Sequence, residues 1–245
     1  MLYIIDMIHL NFKPHNFQKK ILAKLANAPK LRFSELQIYN LESEHMNYHL
    51  QKLIEIGLVI KLDNHYLLTN LGKDYANTLD DEFKNVEKQP KTSVLLYVVK
   101  EVDGKHYQLV SRRLKHPYFG KVGRLTGKVQ FGETISDAAK RELYEETGLI
   151  TRNPILETVY HKLRHDQNNT CVQDVIFYRF FINDTTGVLI PNTPWQDNIW
   201  ISREGFENSF ENNSELDFFE DYKFTERTEP TPFQFIETVA EEDGF

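Results

Sequence analysis

The sequence predicts a two-domain chain of mixed α/β (α+β) class, and three observations support this prediction. The first 80 residues carry helical spacing of apolar residues and then a short strand–turn–strand signal. Residues 92–245 begin with β-rich runs, after which a glycine-punctuated stretch leads into one well-marked helix. The polar stretch 81–91, which ends in Pro90 and Lys91, is predicted to be a linker between domains 1–80 and 92–245.

In the first domain the pattern predicts three helices, a hairpin and a last helix. The first helix precedes Ala28-Pro29, the second begins at Ser34, and Ser43 is predicted to be the N-cap of the third. The apolar stripe of the third helix is Met46, Leu50, Leu53 and Ile54. The hairpin is formed by LVIKL and HYLLT around Asp63-Asn64, and the last helix covers about 70–79.

In the second domain, strands are predicted at 92–100 and 106–113, joined by a turn at Asp103-Gly104. A helix is predicted at about 134–147, where Thr134 and Asp137 form a capping pattern and Gly148 ends the helix. Further strands are expected near 155–163, 173–182 and 198–202.

Composition is that of a soluble globular protein. The 245 residues are 40% hydrophobic and 27% charged. The single cysteine, Cys171, excludes an internal disulfide and suits a reducing cytoplasm. The apolar run 1–12 is interrupted by Asp6 and lacks a basic region, so it is not predicted to be a signal peptide. Since no run approaches the roughly 20 apolar residues of a spanning helix, we expect a cytoplasmic protein without membrane contact.

The net charge of −7 is unevenly distributed. Residues 1–80 hold 9 Lys/Arg and 8 Asp/Glu, whereas residues 203–245 hold 3 Lys/Arg and 13 Asp/Glu. Bulk charge therefore gives no indication of general nucleic-acid affinity. The acidic C-terminal extension is also rich in phenylalanine, so we predict that it packs on the domain core or on a second subunit.

The residues between Gly127 and Leu149, GKVQFGETISDAAKRELYEETGL, carry the chemistry. Glu142, Glu145 and Glu146 stand at i, i+3 and i+4, which brings their carboxylates to one face of a helix. Three like charges this close repel one another, and a hard divalent cation such as Mg²⁺ or Mn²⁺ would offset that repulsion.

The spacing G-x5-E-x7-R-E-U-x-E-E-x-G-U, where U is apolar, is the signature of the Nudix hydrolases. The chain resembles that family at every specified position: Gly127, Glu133, Arg141, Glu142, Leu143, Glu145, Glu146, Gly148 and Leu149. The resemblance implies an α/β/α sandwich that cleaves a diphosphate bond in a nucleoside diphosphate linked to another group. The implied cofactor is Mg²⁺ (or Mn²⁺), and the implied chemistry is metal-assisted phosphoryl transfer to water.

The resemblance also implies roles by position. The three glutamates would hold the metal, and one of them would orient or deprotonate the attacking water. Arg141 would orient the glutamates, Glu133 would support the loop, and the carbonyl of Thr126 is a further candidate metal ligand. One departure from the family pattern precedes the motif, where Leu125-Thr126-Gly127 replaces the common Pro-Gly-Gly.

Candidate substrate contacts lie outside the motif. Arg112, Arg113 and Lys128 stand where such domains often place phosphate-contacting cations, although an ordinary solvated role fits each equally. Asp166, Asp174 and Asp197 are possible further acids, but a solvated loop position is favoured for each of them. Trp195 and Trp200 are predicted to lie in or at the edge of the core rather than to stack on a base.

The first domain, with MNYHLQKLIEIGLVIKLDNHYLLT, resembles a winged helix-turn-helix domain, in which the helix beginning at Ser43 would enter the DNA major groove. Candidate DNA contacts are His45, Asn47, Tyr48, Lys52 and Lys61. The same helix face presents Glu44 and Glu55, so it offers little attraction for phosphates. A dimerisation or docking role is the alternative.

Two functions remain open from the sequence. One is a Nudix enzyme with an accessory winged helix and a nucleotide-type substrate. The other resembles the Nudix-related transcriptional regulators, in which the Nudix fold senses a nucleotide or sugar metabolite and the winged helix binds DNA. A pure sensor has no need of all three metal glutamates, so the intact motif favours hydrolysis. Homodimerisation is common in both families and is expected here.

Overall fold

A computed structural model of the chain describes residues 14–80, 87–116, 118–211, 216–219 and 222–241. The chain divides into two compact units, residues 1–88 and 89–245. The apolar run 1–12 and most of the predicted linker lie outside the described residues. Within the described ranges, no helix is both long enough and apolar enough to cross a membrane.

The first unit contains four helices and a small antiparallel sheet among its described residues. The helices are α1 (Asn16–Ala26), α2 (Phe33–Leu36), α3 (Ser43–Glu55) and α4 (Asn70–Asn77). The strands are β1 (Leu31–Arg32), β2 (Val59–Leu62) and β3 (His65–Leu68), in the order β1-β3-β2. Both residues of the hairpin turn, Asp63 and Asn64, have positive φ, which matches the right-handed twist of the strands. The predicted helices and hairpin are confirmed, and β1 was not predicted.

Burial explains why α3 lies where the pattern placed it. Met46, Leu50 and Leu53 are fully buried, and Ile54 packs against the same cluster while only partly buried. The predicted N-cap at Ser43 is wrong. Glu42 is the capping residue, with extended backbone and no side-chain capping bond, so Ser43 is the first helical residue.

The second unit is a mixed α+β fold built on a large sheet. Its strands are β4 (Lys91–Val102), β5 (Lys105–Arg113), β6 (Lys121–Gly123), β7 (Leu125–Lys128), β8 (Ile155–His165), β9 (Cys171–Ile182), β10 (Gln196–Ser202), β11 (Asp217–Phe218) and β12 (Gln234–Glu241). Its helices are α5 (Ile135–Thr147) and α6 (Arg203–Glu211). The predicted strands and the helix near 134–147 are confirmed, whereas β6, β7, β11, β12 and α6 were not predicted.

Strand β4 joins the two halves of the large sheet. The strand order is β11-β6-β5-β4-β9-β8-β12, with β10 paired to β5 and β7 paired to β4. The first part of β4 runs parallel to β9 and antiparallel to β7, and its last residues form a hairpin with β5. The short strand β7 contains Gly127, the first residue of the motif Gly127–Leu149, and its pairing with β4 fixes it against the centre of the sheet.

Helix α5 packs on the sheet through small and branched side chains. Ala138, Ala139 and Leu143 are fully buried in one cluster with Val94 and Leu96 of β4. This packing fixes the inner side of the helix and leaves the glutamate-bearing side toward β7.

Part of the acidic, phenylalanine-rich extension forms a second core cluster. Phe218, Tyr222 and Phe224 are buried against Val110 and Val122, and Phe206 and Phe219 pack around them. The prediction that the extension packs is confirmed for these residues. Phe233 and Phe235 differ, since each is 61% exposed, and the Phe210 side chain lies outside the described residues.

Candidate active site

Helix α5 begins and ends at the residues that the sequence indicated. Thr134 is the N-cap, and its Oγ1 accepts a hydrogen bond from the Asp137 amide at 3.1 Å. Gly148 adopts the left-handed conformation, with φ of 73°, and its amide donates to the Tyr144 carbonyl. The helix is therefore anchored at both ends, which fixes the positions of the acidic residues on it.

Arg141 connects the acidic residues of the motif. Its Nε and Nη2 donate to the two Glu133 carboxylate oxygens at 2.7 and 2.9 Å. Its Nη1 donates to Glu142 at 2.8 Å and to Glu145 at 2.9 Å, and Nη2 also donates to the Lys128 carbonyl at 2.9 Å. An arginine has five N–H donors, and these bonds use all of them. Hydrogen bonding to Arg141 holds the pKa of Glu133 below its usual range.

Glu142 lies against the backbone of β7 at Gly127. Any Cβ atom at position 127 would overlap the Cγ and Cδ atoms of Glu142. The glycine is therefore required here for space, because its backbone φ is not in the left-handed region. The contact leaves the Glu142 side chain only 12% exposed.

We expect Gly127→Ala to displace the Glu142 carboxylate. Since Glu142 can rotate away, the loss of stability should be small, about 1 kcal/mol, whereas turnover should fall at least about a hundredfold because a misplaced group at the reaction centre has that effect. Steady-state kinetics and thermal unfolding of the variant would check this. Gly120→Ala is the control, because a Cβ added there meets nothing within 4 Å and its cost is confined to the positive φ. Wild-type turnover in the Gly127→Ala protein would contradict the assignment.

The surroundings of Glu142 and Glu146 disfavour the ionised form of their carboxylates. Burial raises the pKa of Glu142, and Arg141 opposes that rise. Burial and then the Glu142 charge raise the pKa of Glu146, while Lys115 and Arg113 oppose the rise. Glu145 is more open, with its side chain 56% exposed. In the part of the chain that the structure describes, no three His, Cys, Asp or Glu side chains converge as a ready metal-binding cluster.

The three predicted phosphate-contacting cations have different surroundings. Arg113 lines a cleft and lies close enough to Glu146 to influence its charge. Arg112 forms an ion pair with Asp197, with Nη2 to Oδ2 at 2.6 Å. Lys128 is exposed at the end of β7. Thr126, the candidate carbonyl ligand, is exposed and lines the same cleft as Arg113.

The additional acids have structural partners. Asp197 lies on β10 with its side chain 15% exposed, so its predicted solvated-loop position is wrong. Hydrogen bonding to Arg112 lowers the pKa of Asp197. Asp166 accepts the Asn168 and Thr170 amides in the turn between β8 and β9, and Asp174 contacts His161 at 2.9 Å.

Arg113 and Thr126 line a cleft of about 380 Å³, which the sequence did not predict. Its lining is basic and aromatic, and none of its described lining residues is acidic. The cations are Arg113, Arg124, Lys162, Arg164 and Arg179, and the rings are Tyr118, Tyr160, Phe177, Phe219 and Tyr222. Such a lining suits an anionic ligand that carries a flat ring system.

Alternation along β8 is the sequence signal that could have revealed this cleft. Tyr160, Lys162 and Arg164 are two residues apart, so their side chains lie on one face of the strand. Tyr160 stands opposite Phe177 of β9, with their ring centroids 6.4 Å apart. The pattern became informative only once the pairing of β8 with β9 was known.

The C-terminal segment supplies one wall of the cleft. Phe219, Tyr222, Ile236 and Thr238 line it, and the Thr238 hydroxyl lies 2.8 Å from that of Tyr160. A fully buried carboxylate, Glu157, fastens the segment through two hydrogen bonds from Arg227, both at 2.6 Å. Burial alone would raise the pKa of Glu157, but the bonds and charge of Arg227 outweigh it and lower that pKa.

Candidate DNA contacts in the first unit are partly engaged with other groups. His45, Asn47 and Tyr48 are exposed on α3. Lys52 lies 2.7 Å from Glu55, so its charge is offset within the helix. Lys61 lies on β2, with its Nζ 5.6 Å from the centre of the Tyr66 ring.

Solved structures similar to this chain include two MutT proteins and one further NUDIX domain. A mutator MutT protein from Bacillus halodurans is 23% identical, with 46% of this chain and 69% of that chain covered and a TM-score of 0.40. A MutT NUDIX hydrolase from Burkholderia pseudomallei is 21% identical, with 48% and 87% covered and a TM-score of 0.40. The NUDIX domain of Shewanella oneidensis NrtR, complexed with ADP ribose, is 14% identical, with 58% and 88% covered and a TM-score of 0.44.

No curated protein matches the chain by sequence. The family model for the NUDIX domain matches residues 89–222, which is more than half of the chain. The matched range contains the anchored helix α5, its three glutamates and the Arg141 network. The chain therefore belongs to the NUDIX family.

Proposed function

We propose that the protein is a metal-dependent Nudix pyrophosphohydrolase that cleaves a diphosphate bond in a nucleoside diphosphate linked to another group. The observation that carries the proposal is the placement of Glu142, whose side chain is only 12% exposed, and the partly buried Glu146 on α5, with Arg113 of the cation-lined cleft close to Glu146. A solvated surface helix gains nothing from placing two repelling charges in this way.

The donor set suits a hard divalent cation. Glu142, Glu145, Glu146 and the Thr126 carbonyl offer only oxygen atoms, which Mg²⁺ and Mn²⁺ prefer. The positive charge of such a cation would also offset the unfavourable burial and mutual repulsion of the ionised Glu142 and Glu146 carboxylates. When bound, such an ion would neutralise phosphate oxygens and make a water molecule easier to deprotonate.

The chain's own residues would divide the remaining work. Glu146, which is partly buried beside Arg113, would orient the attacking water or take its proton. Arg141 would hold Glu142 and Glu145 in place through its hydrogen bonds. Arg113 would contact the substrate phosphates from the cleft. Arg112 would contact them only if its guanidinium also kept its ion pair with Asp197.

The test is a panel of candidate substrates assayed with Mg²⁺ or Mn²⁺. It should contain ADP-ribose, the ligand of the NrtR domain described above, together with dinucleotides and nucleoside triphosphates. We expect release of a mononucleotide from at least one member, detected by chromatography, and loss of that release in excess EDTA. Tight binding of one member with no turnover of any would favour the sensor function of the Nudix-related regulators instead.

We propose that the first unit is a winged helix-turn-helix domain. Its helices α1 to α3, followed by the β2–β3 hairpin, have the order of that domain. The exposed face of α3 carries Glu44 and Glu55 and only one lysine, which is paired. We therefore expect DNA binding by the full chain to be weak and salt-sensitive in gel-shift and fluorescence assays. A nanomolar complex with the gene's own upstream sequence at physiological salt would contradict this and favour a regulator.

Homodimerisation stays a prediction, which light scattering would check.

A further inference from the structure

Arg124 lines the cleft, and one buried donor of its side chain has no acceptor in the part of the chain that the structure describes. Its Nη2 donates to the Lys223 carbonyl at 3.0 Å. Although the residue keeps some accessible surface, its Nε atom is buried and has no hydrogen-bond partner among the described residues. A buried donor without an acceptor is unfavourable, so native proteins seldom keep one without a reason.

Two aromatic rings lie close to the Arg124 guanidinium. Its Cζ lies 5.0 Å from the centre of the Tyr97 ring and 4.9 Å from that of Tyr222. The guanidinium is thus held between aromatic neighbours while its Nε donor has no acceptor among the described residues. A planar edge of N–H donors matches a phosphate or carboxylate group.

The fully buried carboxylate of this region, Glu157, is engaged by other arginines. Glu157 accepts both of its shortest bonds from Arg227, and Arg179 Nε lies 2.8 Å from the same carboxylate, without good hydrogen-bond geometry. Arg124 has no ion-pair partner among the described residues, and its charged neighbours there are Arg179 and Arg227. A guanidinium kept only for stability would be expected to face a carboxylate.

Position on the sheet connects Arg124 with the proposed reaction centre. Arg124 precedes Leu125 and is two residues from Thr126, and both Arg124 and Thr126 line the cleft. Residues two apart on an extended chain lie on the same face, about 6.5–7 Å from each other. An anion at Arg124 would therefore lie beside the end of the cleft where Thr126 and Arg113 approach the motif.

We infer that Arg124 binds a phosphate of a nucleotide substrate, with its base among the aromatic residues of the cleft. The inference rests on the proposed function, because the cleft is taken as the substrate site. Tyr160 and Phe177 provide neighbouring ring faces on which a base can stack. The wall that contains Ile236 and Thr238 lies beyond residue 222, where the family match ends, so this part of the site belongs to the chain's own C-terminal extension.

Binding without turnover tests the inference separately from catalysis. Calorimetric titrations in EDTA would use the full chain with each of the four common nucleoside 5′-monophosphates and with the matching nucleosides. We expect at least one monophosphate to bind, and its affinity to fall about 10- to 100-fold in Arg124→Met, as for a lost hydrogen bond to a charged group. The matching nucleoside should bind wild type and Arg124→Met equally. Arg152→Met, which changes an exposed arginine outside the cleft, is the control.

Thermal unfolding provides a readout that separates ligand binding from a structural role. If Arg124 exists to bind an anion, Arg124→Met removes a buried, unpaired charge and should raise the melting temperature of the ligand-free protein by about 2–4 °C. If Arg124 instead serves the fold, the same change should lower it, because two ring contacts and the bond to Lys223 are lost. Arg124→Lys keeps the charge without the planar edge and should recover only part of the affinity.

The outcomes distinguish this inference from the proposed hydrolysis. Monophosphate binding that depends on Arg124 in a protein without turnover would support the inference and overturn the hydrolase proposal. Turnover with a KM that Arg124→Met leaves unchanged would support hydrolysis and overturn the inference. A loss of kcat at unchanged KM would also contradict it, because the proposed role is to hold the substrate.

Discussion

Glu146→Gln is expected to lower turnover at least about a thousandfold while leaving the fold intact. The change keeps the size and shape of the side chain and removes the negative charge that would hold a divalent cation and accept a proton from water. Metal-assisted charge stabilisation is worth several kcal/mol, and each 1.4 kcal/mol corresponds to about a tenfold change in rate. Steady-state kinetics with Mg²⁺ and circular dichroism would measure the two parts of this prediction.

The same variant should be more stable than wild type when both are kept in EDTA. Burial and Glu142 raise the pKa of Glu146, so the ionised carboxylate is less favourable in the folded chain than in the unfolded one. Tyr144→Phe is a suitable control, because this residue is on the same helix and 59% exposed. A fully active Glu146→Gln protein would refute the metal and base assignments of this residue.

Glu157→Ala is expected to give the largest loss of stability, about 3–5 kcal/mol. It removes the carboxylate that accepts the two short bonds of Arg227 and leaves that guanidinium partly buried without this counter-charge. Urea unfolding would measure the loss, and limited proteolysis should cut the segment after Tyr222 faster than in wild type. Asp217→Asn, which removes an exposed ion pair with Lys121, should cost less than about 1 kcal/mol.

The contribution of Glu157 to the stability of the fold should decrease as the pH falls. The folded-state pKa of Glu157 is below the ordinary value of 4.5. Its stabilisation is therefore complete above pH values near 4.5 and is lost as the pH falls toward the lower folded-state pKa. Wild type should lose stability across that acid range, and Glu157→Gln should lack this part of the loss. Equal acid dependence in both proteins would show that other carboxylates are responsible.

The motif helix could be predicted because its determinants are local. Thr134, Gly148 and the apolar residues between them fix where α5 begins and ends, and the i, i+3, i+4 spacing fixes which glutamates share a face. The network around Arg141 was foreseen only in outline. That Gly127 is needed to admit the Glu142 side chain follows from the packing of α5 on β7, which no residue pattern displays.

The cleft could not be predicted because its walls come from distant parts of the chain. Tyr160 and Thr238 touch only when β12 pairs with β8, and the sequence predicted neither β12 nor that pairing. The burial of Trp195 was also predicted wrongly from the sequence. It was predicted to lie in or near the core, yet it is 56% exposed, with Lys115 Nζ 5.6 Å from its ring. Trp200, by contrast, packs against the core as predicted.

The parallel pairings of β4 with β9 and of β8 with β12 have a consequence for folding kinetics. They join residues such as Lys91 with Val175 and Thr158 with Gln234, so long loops must close before these contacts stabilise anything. The first unit has more local pairings, as between β2 and β3, and should fold faster. Refolding from urea is therefore expected in two phases, and the wall that β12 contributes to the cleft should be completed in the slower one.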